Sequence, residues 1–128
     1  MSAEKKADLV QVGVSQGSRE VLESLQAAGY IADLMDGFRL AIATAIGFGR
    51  EPRENVDSDR KTTFAVGNLD PDSSLREAIK EIYPTFRTIP ARAAEDLAEQ
   101  GLEIAKESFN GEDFSFSDIL DRVRKANA

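Results

Sequence analysis

Residues 8–47 run through one short alternating strand pattern and two helical patterns divided by Gly29. In Leu9-Val10-Gln11-Val12-Gly13-Val14, period-two alternation places Val10, Val12 and Val14 on one face and Leu9, Gln11 and Gly13 on the other. A lone strand leaves its backbone groups unpaired, and two helices are too little to close a core around it. The simplest remedy is a second copy that pairs strand to strand. An obligate homodimer, or a higher even oligomer, is therefore expected. Its contact would be built from Val10, Val12 and Val14, with Leu34, Phe38 and Ile42 of the second helix behind them.

The helical patterns carry their own punctuation. Ser18 is expected to cap a first helix over 19–28 containing Val21, Leu22 and Leu25, and Gly29 supplies the left-handed turn that ends it. Asp33, with Asp36 three residues on, reads as the start of a second helix. There Leu34, Phe38, Ala41, Ile42, Ala45 and Ile46 recur at helical spacing until Gly47-Phe48-Gly49 closes it. Gly37 costs that helix roughly 1 kcal/mol against alanine, so a close helix crossing there is a natural reason for it.

Beyond this unit, residues 50–62 are mostly charged, with Val56 as their only aliphatic residue, and read as a solvated loop. Thr63-Phe64-Ala65-Val66 is a brief strand pattern. Ser74 and Glu77 form a capping box for a helix through Leu75, Ile79, Ile82 and Tyr83, which Pro84 ends. Pro90 opens a long helix over 90–109, and Ser117 caps a last one bearing Ile119, Leu120 and Val123. The expected architecture is mainly α with one or two short strands, in one domain over 1–128. An N-terminal dimerisation unit spans 8–49, a charged loop 50–62 and a helical C-terminal part 63–128.

Composition narrows the chemistry. The chain has no histidine and no cysteine, which removes the commonest general base, the thiol nucleophile and nearly all zinc sites. No catalytic residue, metal ligand or cofactor is assigned, and an enzyme is not expected. The start precedes no long apolar run and no segment reaches membrane-span length, so a cytoplasmic location without membrane contact is expected. The net charge of −7 is concentrated in the C-terminal half, −5 after residue 61 against −2 before it. Such acidity opposes indiscriminate binding to nucleic acid.

Candidate sites each have a plainer explanation beside them. Gly13-Val14-Ser15-Gln16-Gly17-Ser18 follows a strand and opens a helix as phosphate loops do. It lacks the lysine of a P-loop and the third glycine of a dinucleotide fingerprint, so a capped turn explains it better. Asp57-Ser58-Asp59 and Asp70-Pro71-Asp72 hold oxygen ligands but read as turns. Ser73, Lys80 and Tyr83 could make a nucleophile set, without an oxyanion-hole signature. Phe109, Phe114 and Phe116 are read as core fillers, since no basic residues interleave with them. Glu95, Glu99 and Glu103 repeat every four residues. Such a run is usually a solvated face, and the sharper reading is a docking surface for a partner with a basic surface.

The alternating strand Val10–Val14, the Gly29 break and the periodic second helix resemble the ribbon-helix-helix family of DNA-binding dimers, over about a third of the chain. Phe38-Arg39-Leu40-Ala41-Ile42 is similar, more weakly, to the helix pattern of the DNA sulfur-modification accessory family DndE. The first resemblance implies paired strands in the major groove and a phosphate held at the start of the second helix. Lys5, Lys6, Gln11 and Arg19 would be the DNA-binding residues. Only Gln11 on the outward strand face can read a base edge, and Asp33 and Asp36 stand where the phosphate should dock. The leading expectation is therefore a non-enzymatic, homo-oligomeric interaction or accessory protein in a DNA-related or phage-defence system. A ribbon-helix-helix transcriptional regulator or antitoxin is the alternative.

Overall fold

The computed structural model describes residues 8–53, 60 and 62–109. It is mainly helical. Strand β1 (Gln11–Val14) leads into α1 (Gln16–Ala27) and α2 (Leu34–Gly47). Strand β2 (Thr62–Ala65), a short α3 (Val66–Leu69), α4 (Ser74–Ile82), a 3-10 turn (Pro84–Phe86) and α5 (Pro90–Phe109) follow. The expected helix over 117–125, with Phe114 and Phe116, lies outside the described residues.

The pairing assigned on sequence grounds to a second copy is made within the chain. β1 and β2 form a two-stranded antiparallel sheet with Gln11 opposite Ala65, Val12 opposite Phe64, Gly13 opposite Thr63 and Val14 opposite Thr62. Val12 and Val14 turn inward and are buried, as their alternation predicts. Phe64 on β2 meets Phe38 of α2 edge to face, with ring centroids 5.5 Å apart. Phe38 and Ile42 are fully buried and Leu34 is partly buried, all in one core. Of the proposed oligomer contacts, only Val10 stands in solvent, at 81% exposure. The core thus closes around a single strand pair, and the physical reason given for an obligate dimer through β1 does not hold.

Helix α5 is the central pillar. It packs along α2 and also against α1, α4 and β1, with Ala94, Leu97, Ala98, Leu102 and Ala105 buried. Its contact with α2 is backbone to backbone at Gly101. A Cβ there would overlap the Ala41 carbonyl oxygen and sit 2.6 Å from its carbon. Gly37 serves a related purpose toward α1. A Cβ there would strike Leu22, and would come 2.6 Å from Ile31 Cδ1.

The helix ends follow local chemistry, with two corrections. Gly29 takes φ +83° after α1, and Asp33 Oδ1 accepts from the Asp36 amide at 2.9 Å, as expected. The N-cap of α1 is Ser15 rather than Ser18: Ser15 Oγ accepts from the Ser18 amide, and Ser18 is buried inside the helix. The capping box of Ser74 and Glu77 does not form. Asp72 accepts instead from the Ser74 amide, and Asp70 reaches the Leu75 and Arg76 amides at 3.0 Å each. Aspartate wins because its charged carboxylate binds exposed helix amides more strongly than a neutral hydroxyl.

Candidate functional site

The sheet and the face of α5 behind it bring together most of the residues singled out in the sequence. In an antiparallel pair, backbone groups of alternate residues point toward the partner strand and away from it. Val66 donates its amide to Val10 O at 2.9 Å, which makes Val10, Val12 and Val14 the residues that face β2. The amides of Gly13 and Ser15 therefore point to the other edge of β1, where two carboxylates of α5 meet them. Gly13 donates to Glu95 Oε2 at 2.9 Å and Ser15 to Glu99 Oε1 at 3.2 Å.

Glu99 is the hub of this seam. Its Oε2 accepts from Ser15 Oγ at 2.8 Å and from Ser18 Oγ at 2.7 Å, and its Oε1 from Arg60 Nη1 at 2.8 Å. Arg60 Nε lies 3.5 Å from Glu95 Oε1. All three side chains are largely buried, with Arg60 11%, Glu95 18% and Glu99 13% exposed. One turn away, Arg53 donates its amide and guanidinium to the buried Asp96 and reaches Glu103 at 3.4 Å. Hydrogen bonds to Asp96 and its negative charge, opposed by partial burial, hold the Arg53 guanidinium above its usual pKa. The acidic run Glu95, Glu99 and Glu103 is thus engaged by the chain itself, and only Glu103 keeps substantial exposure.

Strand β2 is in the opposite situation. By the same alternation, Thr63 and Ala65 direct their amides and carbonyls away from β1. Both residues are exposed, and among the described residues nothing pairs with that outer edge. The strand Thr62-Thr63-Phe64-Ala65 carries no charge, proline or bulge, the devices that usually blunt an open edge.

The remaining candidates are dispersed. Gln11 is exposed opposite Ala65, Arg19 pairs with Glu23 at 3.3 Å on α1, and Lys5 and Lys6 lie outside the described residues. The anion position at the start of α2 is filled by the carboxylate of Asp33. Ser73 and Lys80 line one hollow beside α4, and Tyr83 does not join them. Ser73 Oγ accepts from Arg76, Lys80 pairs with Glu77, and Tyr83 donates its hydroxyl to Arg50 O at 2.6 Å. Burial, with the charge of Glu51, pushes the Tyr83 phenol above its usual pKa. Asp70 and Asp72 spend their oxygens on the amides of α4, while Asp57 and Asp59 lie outside the described residues.

Reasoning from sequence passed over Ser15, Arg60, Thr63 and Ala65. A serine three residues ahead of Ser18, and an uncharged strand directly after a charged loop, are the local signals that could have marked them. Among the described residues no helix is long and apolar enough to cross a membrane. No protein-family model, curated protein or solved structure matches this chain.

Proposed function

We propose that this chain is a non-enzymatic interaction protein that associates with a second copy through the outer edge of β2. The observation that carries this reading is the asymmetry of the sheet. β1 pairs with β2 along one edge and has the Gly13 and Ser15 amides of its other edge taken by Glu95 and Glu99, whereas among the described residues nothing meets Thr63 and Ala65 on the outer edge of β2. Two β2 strands related by a twofold axis are self-complementary and would join two ribbons into one four-stranded sheet. An uncharged edge is also where two copies that each carry −7 can approach at least electrostatic cost. The carboxylates most suited to acid–base chemistry, Asp70, Asp96, Glu95 and Glu99, are committed to structural bonds, which favours a binding role.

The resemblance to ribbon-helix-helix and DndE proteins supplies the setting of this proposal, an accessory place in a DNA-handling or phage-defence assembly. Direct duplex reading has less support, because Asp33 fills the position where a phosphate would dock.

Twofold pairing at Thr63 and Ala65 adds about four backbone hydrogen bonds, worth about 0.5–1.5 kcal/mol each. That is comparable with the cost of association, so the dimer is weak and sedimentation has to reach roughly 1 mM protein to populate it. Ala65→Pro is the discriminating variant. Residue 65 already has φ −69°, which proline requires, and its amide points away from β1. The substitution should abolish concentration-dependent dimerisation and leave the melting temperature of the dilute monomer unchanged. A variant that dimerises as before would refute the edge.

A further inference from the structure

Between α4 and the approach to α5 lies a polar hollow of about 250 Å³. Its walls carry three cationic side chains, Arg76, Lys80 and Arg87, and two hydroxyls, Ser73 and Thr88. Three cations in one concavity are unexpected on a chain with seven excess negative charges. Asp8 and Glu77 share the lining, so its formal charge is +1, and Arg76 and Lys80 are ion-paired with Asp70 and Glu77.

The two acids at the hollow are already matched. Asp8 lays its carboxylate on the first turn of α5, accepting from the Ala91 and Arg92 amides at 2.9 Å each, so its charge faces the positive end of that helix. Glu77 pairs with Lys80 at 3.2 Å on an exposed part of α4.

Arg76 is fixed in advance. Its Nε donates to the Asp70 carboxylate at 2.9 Å, and its Nη2 donates to Asp70 O at 2.8 Å and Ser73 Oγ at 2.9 Å. Nη1 has no partner among the described residues, so a guanidinium held in one orientation keeps one arm for another acceptor. Ser73 at the rim adopts φ +63°, a left-handed conformation that a non-glycine residue holds only where its surroundings impose it. The bond from Arg76 to its hydroxyl is part of what imposes it. Arg87 is exposed and has no ion-pair partner among the described residues.

We infer that this hollow binds the phosphate group of a small phosphomonoester. A dianionic phosphate has acceptor oxygens enough for Arg76 Nη1, Lys80 and Arg87 together, with Ser73 and Thr88 donating hydroxyl hydrogens. Such charge-assisted bonds are the strong class. The dimensions favour a small ligand, because a hollow of this volume takes a phosphate and a short substituent, and the acidic surface around it opposes a duplex. The site is separate from the β2 edge and stands or falls independently of it.

The test is thermal denaturation and phosphorus NMR titration of the full chain with inorganic phosphate and with glycerol phosphate. Sodium chloride at matched ionic strength is the control. Arg87→Gln is the variant of choice, since the Arg87 side chain makes no hydrogen bond or ion pair among the described residues and the substitution keeps its backbone bond to Pro84 O. Saturable stabilisation by phosphate beyond the chloride control is expected, with affinity reduced about tenfold or more in Arg87→Gln. Stabilisation no greater than chloride gives, or unchanged affinity in Arg87→Gln, overturns the assignment. Binding of a short DNA duplex without binding of either small phosphate overturns it as well and reassigns the cations to a nucleic-acid backbone.

Discussion

Replacing Gly101 with alanine probes the contact on which the fold turns. Helix propensity alone predicts a gain of about 1 kcal/mol, because Gly101 lies in the interior of a twenty-residue helix. The tertiary structure predicts the reverse. The added Cβ would overlap the Ala41 carbonyl oxygen and lie 2.6 Å from its carbon and 2.8 Å from its Cα, all backbone atoms that cannot rotate aside. Helices α2 and α5 would have to separate by on the order of 1 Å, forfeiting a quarter to a half of the dispersion energy across their seam. Overpacking typically costs about 1–3 kcal/mol, and a rigid neighbour puts this site at or above the upper end. The net expectation is a loss of about 2 kcal/mol. For a chain of this size that is a fall in melting temperature of about 8 °C, or a urea midpoint lower by about 1 M. Gly17→Ala in α1 is the matched control, because a Cβ there meets nothing within 4 Å, and it should be neutral or stabilising. Equal or greater stability of Gly101→Ala in the same assay would refute the close crossing and leave propensity as the deciding term.

Two further variants address the polar network. Glu99→Ala strips the acceptor from the Ser15 amide and leaves the largely buried Arg60 with the more distant Glu95, so a loss of about 3 kcal/mol is expected, with faster amide exchange along β1. Wild-type stability and exchange would show that the seam is not structural. Asp70 is 3% exposed, and burial would raise its pKa, but hydrogen bonds from Arg76 and the Leu75 and Arg76 amides, with the Arg76 charge, hold it below the usual 3.8. A carboxylate depressed in the folded state stabilises it above that value and loses the contribution as pH falls through the lower folded value. Asp70→Asn should therefore be about 2–3 kcal/mol less stable near pH 7, with the difference shrinking below about pH 4. Urea titrations across pH measure it, and a difference independent of pH would contradict the assignment.

What the chain determines by itself is its local structure. Apolar spacing at Leu34, Phe38, Ala41, Ile42 and Ala45 marked α2, Pro90 marked the start of α5, and Gly29 and Asp33 marked the break between α1 and α2. Alternation correctly turned Val12 and Val14 inward. These signals are readable because each arises from residues within four or five positions of one another. Partnership across the chain is another matter. β1 finds β2 some fifty residues later, and the edge amides of Gly13 and Ser15 find Glu95 and Glu99 more than eighty residues away. In sequence, those glutamates are indistinguishable from a solvated stripe, because helical spacing says which residues share a face and not what that face meets. The same limit applies to Gly101, where only the crossing of two backbones gives the missing side chain its purpose. Only the tertiary structure decides which edge of the sheet is met by other parts of the chain and which, among the described residues, is not, because pairing between distant segments depends on how the helices between them bring the ends together.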